Sequence, residues 1–102
     1  GELRQKQGNS AKALDDFRQA FALLAEVIAK DDGDVIAKRD LASAATAFAE
    51  LSLKTNAELK EAKNKLQQCL DVLNDMQQKG IARDRDKAML TKAETLMAKL
   101  GI

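Results

Sequence analysis

The stretch GNSAKALDDFRQAF, residues Gly8 to Phe21, sets Ala13, Phe17 and Ala20 at steps of four and three. A helix turns once in about 3.6 residues, so these side chains form one stripe of small and large apolar groups. A lone helix cannot bury such a stripe, and the rest of the chain must supply its cover. The stretch also predicts a beginning. Gly8 can take the positive φ of a tight turn between helices, and Asn9 or Ser10 can cap the helix on its C-terminal side. Residues 1–7 then read as the tail of a truncated helix. A full helix over 10–30 carries Ala13, Leu14, Phe17, Ala20, Phe21, Leu24, Val27 and Ile28 on one face and ends at Asp31-Asp32-Gly33.

The same signals predict three more helices. Asp34 offers a cap to a helix over 34–54, with Leu41, Ala44, Ala45, Phe48 and Leu51 inward, before Thr55-Asn56 breaks the pattern. A helix over 57–79 has the stripe Leu59, Ala62, Leu66, Cys69, Leu70, Leu73 and Met76, with Gly80 as its left-handed stop. A last helix over 84–100 sets Met89, Leu90, Ala93, Leu96, Met97 and Leu100 on one side. No Pro-, Gly- or Ser-rich linker divides them, so the chain reads as a single all-α domain.

Composition agrees. The 102 residues contain no Pro, Trp or Tyr and only three Phe, with a hydrophobic content of 45%. That is the make-up of a helical core built from aliphatic and small side chains. A formal net charge of +1 gives no electrostatic reason to expect nucleic acid. The longest apolar run, Phe21 to Ala29, is interrupted by Glu26 and falls well short of the ~20 residues needed to cross a bilayer, and no basic-then-apolar leader opens the sequence. A soluble, cytoplasmic chain is expected, and a single cysteine excludes an internal disulfide.

Comparing the chain with itself adds architecture. Displaced by 49 positions, Ala13 falls on Ala62, Phe17 on Leu66, Ala20 on Cys69, Leu24 on Leu73 and Val27 on Met76. The same displacement sets Leu41 on Leu90, Ala44 on Ala93, Phe48 on Met97 and Leu51 on Leu100. One offset shared by two helix pairs predicts stacked antiparallel hairpins, each burying its open face against the next.

Gly1, Gly8, Ala13, Phe17 and Ala20 match a known spacing: a small residue in a first helix, glycine at the turn, then small, aromatic and small in a second helix. In this the chain resembles the tetratricopeptide repeat (TPR) family, over nearly its whole length. The second unit keeps Ala49, Ala62, Leu66 and Cys69 but has Asn56-Ala57 at the turn, and the family's closing proline is missing. The period exceeds the usual ~34 residues, as in long-helix variants that resemble kinesin light chain arrays. Arg39-Asp40-Leu41 resembles the opening of repeats in large bacterial proteins, some attached to Ser/Thr kinases. The resemblance implies an α-solenoid fragment of a larger array that binds a protein or peptide partner in a concave groove and belongs to a scaffold or signalling protein. It carries the groove role to Ser43, Thr46, Glu50, Leu53 and Lys54, to Glu2, Gln5 and Lys6 from the first unit, and to Lys87 and Lys92 from the last helix. Two alternatives stand beside it: a docking or sensor arm of a kinase-like chain, and a structural segment that self-associates.

Chemistry of other kinds is not signalled. The chain has no His, no Gly-rich phosphate loop and no metal-spaced cluster, so no enzyme, cofactor or metal site is expected. Asp31-Asp32-Gly33-Asp34 lacks the later ligands of a calcium loop and reads as a capped turn. Cys69 and the three methionines, Met76, Met89 and Met97, read as core, and Arg83-Asp84-Arg85-Asp86 as a solvated helix start.

Overall fold

The computed structural model describes the chain from residue 2 to residue 101, with side chains from residue 9 onward. It contains four helices: α1 (Glu2–Lys30), α2 (Val35–Thr55), α3 (Leu59–Gln78) and α4 (Asp84–Lys99). They form a stack of antiparallel hairpins. α2 is the central member, packing on α1, α3 and α4, while α3 also packs on α4. Among the described residues the backbone of α1 comes close to neither α3 nor α4.

The connections are short because each helix end is closed chemically. Asp34 Oδ1 accepts from the Ala37 N–H at 2.9 Å, capping α2 and confirming the capped turn expected at Asp31–Asp34. Gly80, at φ 73°, ends α3 in a Schellman motif: its N–H donates to Gln77 O, and the Ile81 N–H donates to Met76 O at 3.0 Å. Asn56 does the same for α2 at φ 52°, the Ala57 N–H reaching Ser52 O. At the start of α4, Asp86 Oδ2 accepts from the Arg83 N–H at 2.9 Å.

The start of α1 differs from the sequence expectation. It is one helix of 29 residues running without a break through Gly8 and Asn9, so no turn separates residues 2–7 from the rest. A helical glycine costs only about 1 kcal/mol relative to Ala, too little to interrupt a helix whose flanks favour continuation.

The core consists of Leu14 and Phe21 from α1, Leu41, Ala42, Ala45, Phe48 and Ala49 from α2, Ala62, Leu66, Cys69, Leu73 and Met76 from α3, and Ala93, Leu96 and Met97 from α4. Seen from α3, the seam is regular. Lys38, Ala42, Ala45, Ala49 and Ser52, all buried, recur on α2 at steps of four, three, four and three, the spacing of side-by-side helices. The Cys69 thiol lies 4.0 Å from Ala42 O across this seam, so small residues have let the two backbones approach. Burial pushes that thiol up to about 12, which makes Cys69 an inert packing residue.

The helix ends fall at similar spacings. α1 ends at Lys30 and α3 at Gln78, while α2 begins at Val35 and α4 at Asp84. Burial is not equal between the related stripes. Ala62, Leu66, Cys69, Leu73 and Met76 on α3 are no more than 2% exposed, whereas their counterparts Ala13, Phe17, Ala20 and Leu24 on α1 are half-buried and Val27 is 41% exposed. α1 instead turns Leu14 and Phe21, one position round the helix, into the core.

Candidate partner-binding groove

The open side of α1 becomes one wall of a groove with a cavity volume of about 590 Å³. Ala13 and Phe17 come from α1. Ser43, Thr46, Ala47, Glu50, Leu51 and Lys54 form the α2 floor, and Met89 and Lys92 form the opposite wall on α4. The α2 residues converge because steps of three and four repeat along one helix face. Small side chains at Ser43 and Ala47 leave the floor low, and α1 and α4 can flank it because both pack on α2.

Of the residues assigned to a groove from the sequence, Ser43, Thr46, Glu50, Lys54 and Lys92 line this cavity. Leu53 does not: it sits at the edge of this face of α2, beside Thr46, and packs against the hydrophobic core instead. Lys87 is exposed in the first turn of α4, away from the cavity lining. The side chains of Glu2, Gln5 and Lys6 lie outside the described residues. Four lining residues, Ala13, Phe17, Leu51 and Met89, differ from the sequence expectation. Expected in the core, all four are half-buried along the groove. Helical periodicity alone does not say on which side a neighbour will be found.

The polar groups of the groove are largely engaged. Lys92 Nζ meets Glu50 Oε1 at 2.6 Å, joining α4 to α2 across the cavity. The Thr46 hydroxyl donates within its own helix, to Ala42 O and Ser43 O at 3.0 Å, with Met89 Sδ at 3.6 Å. Lys54, by contrast, has no carboxylate within 4.0 Å among the described residues.

Behind the floor, two charge clusters fix the walls. Arg18 grips Glu61 with two bonds, Nε to Oε2 at 2.7 Å and Nη2 to Oε1 at 2.8 Å, linking α1 to α3 although their backbones stay apart. Lys65 Nζ reaches the same carboxylate at 3.0 Å and lies 4.7 Å from the Phe21 ring centroid and 5.2 Å from that of Phe48. The Arg18 bonds foremost, with help from Lys65 and against the burial, bring the Glu61 carboxyl down to about 2. On the α4 side, Asp86 is 4% exposed and receives Arg39 through Nε and Nη2 at 3.0–3.2 Å. This corrects the reading of Arg83–Asp86 as a merely solvated face. Burial raises the Asp86 carboxyl, but Arg39 and the Arg83 N–H outweigh it and hold the group below its ordinary range.

A third cluster holds the turn at the far end. Buried Lys38 approaches Asp32 at 3.5 Å and Asp75 at 3.7 Å, and Lys79 bridges the same two carboxylates at 3.2 and 3.0 Å. None of these long-range pairs is legible in the sequence, where each partner looks like a solvated helix charge.

Compared with protein-family models, curated proteins and solved structures, the chain matches none of them. Among the described residues no three or more acidic or cysteine side chains converge as metal ligands, and no helix is long and apolar enough to cross a membrane.

Proposed function

We propose that this chain is a non-catalytic protein-interaction module whose groove over α2 takes a peptide or a partner helix, within a larger scaffold or signalling protein. The observation that carries the reading is the groove itself: an open cavity of about 590 Å³ with apolar walls at Ala13, Phe17 and Met89 and an α2 floor that joins small Ser43 and Ala47 to charged Glu50 and Lys54. Its chemistry suits binding better than reaction. Glu50 is paired with Lys92 and the Thr46 hydroxyl is spent on its own helix, so neither is held as a general base or nucleophile. α2 packs between α1 and α3 and beside α4, and in a stack of hairpins like that of the tetratricopeptide family this face would be concave. The unbroken α1 departs from that family's turn.

The test is a selection from a displayed peptide library against the intact chain. Groove binders should lose affinity with Ser43→Arg, which fills the floor from an exposed position, and keep it with Gln68→Arg on the exposed face of α3. Binders indifferent to Ser43→Arg would refute the assignment.

A further inference from the structure

Resting on the groove reading, we infer that its occupant is an α-helix lying along α1 as α2 lies along α3, with a row of small residues toward α1, a basic early turn and an acidic late one. The first support is the internal equivalence. The stripe Ala13, Phe17, Ala20, Leu24 and Val27 matches position by position the α3 stripe that is buried where α3 packs with α2 and α4, yet on α1 it is left half-open. Its steps of four, three, four and three are those of a helix-on-helix seam, and they run on for about four turns, too long and too regular for a single peptide anchor.

The second support is the absence of free backbone groups for an extended guest to pair with. Every lining residue of the groove is helical, so its own N–H and C=O groups are already paired along the helix. An extended guest brings one donor and one acceptor per residue, and here it would bury them against Ala, Phe, Leu and Met side chains. A helix satisfies its backbone internally and asks only for side-chain fit.

Charge selects the guest further. On the groove stripe of α2, exposed Asp40 stands near one end and Lys54 near the other. A guest antiparallel to α1 runs parallel to α2. It therefore meets Asp40 early and Lys54 late, so complementary charges are basic first and acidic last. α2 has this make-up, with Lys38 and Arg39 early, the small seam in the middle and Glu50 late.

The experiment uses a synthetic peptide of residues 34–56, helix-stapled on its outer face, titrated into the whole chain and followed by amide chemical shifts. A control peptide has two central proline substitutions. The stapled peptide is expected to shift Ala13, Phe17, Ala20 and Val27 and to bind about tenfold more weakly to Val27→Asp and to Lys54→Glu, both at exposed positions. Shifts centred instead on Leu66 and Cys69 would mean that the peptide displaces α2, and would overturn the proposal. If only the proline peptide perturbs Ser43 and Glu50, the helix is the wrong guest while the groove reading stands. If neither peptide perturbs any groove residue, both fall together.

Discussion

Replacing Glu61 by Gln removes the carboxylate through which Arg18 ties α1 to α3. The Glu61 side chain is 27% exposed and sits between Arg18 and Lys65, the latter's side chain being only 11% exposed. Its carboxyl lies at about 2 in the folded chain against an ordinary 4.5. A tenfold change in proton affinity corresponds to about 1.4 kcal/mol, so that drop corresponds to about 3 kcal/mol of folding stability. Arg18 is 38% exposed, and solvent screening reduces the figure to about 2 kcal/mol. Because the folded-state value is the lower one, the contribution is complete above the unfolded value of 4.5 and disappears as pH falls toward 2. Urea unfolding of the native chain and of Glu61→Gln should therefore differ by about 2 kcal/mol at pH 7 and converge near pH 2. A difference below about 0.5 kcal/mol at neutral pH, or one unchanged by acid, would refute the linkage of α1 to α3 through this carboxylate.

Other substitutions discriminate between packing positions. Phe48→Ala, at a site with no exposure, should cost about 3–5 kcal/mol, whereas Phe17→Ala at the groove wall should cost about 1, measured by the same unfolding curves. Asp86→Asn leaves the Arg39 guanidinium without its buried counter-charge and should lower stability by about 3 kcal/mol, read as a fall in the thermal midpoint. Ser52→Ala should raise stability by about 1 kcal/mol, since Ser52 Oγ is buried without a hydrogen-bond partner. Cys69 should resist a thiol reagent until the chain unfolds, so its labelling rate should track denaturant concentration.

The elements are legible because the sequence punctuates them chemically. Asp34, Asn56 and Gly80 mark their helix ends by mechanisms that act within one turn, and the pairing of Ala20 with Cys69 and Leu24 with Leu73 foretells a stack. Gly8 misleads because a glycine signals permission to turn rather than an obligation, and here the helix continues through it. The groove is partly legible. Ser43, Glu50 and Lys54 share a helical face that periodicity reveals, while Leu53, at the margin of that face, is taken up by the core. What the sequence does not supply is the neighbour. The pattern at Phe17 is the same whether neighbouring helices cover it, as at Leu66, or leave it half-open. The Arg18–Glu61 and Arg39–Asp86 pairs are hidden for the same reason, their partners lying 43 and 47 residues apart.

Hydroxyl-radical footprinting reads the central asymmetry directly, because it labels equivalent side chains on α1 and α3 in one experiment. The account predicts strong labelling of Leu23 and Val27 and intermediate labelling of Phe17 and Leu24. It predicts protection of Leu66, Leu73 and even the intrinsically reactive Met76, with Met89 oxidised ahead of Met76 and Met97. Equal protection of Val27 and Met76, or oxidation of Met76 as fast as Met89, would mean that the two stripes are covered alike and that no open groove runs beside α1.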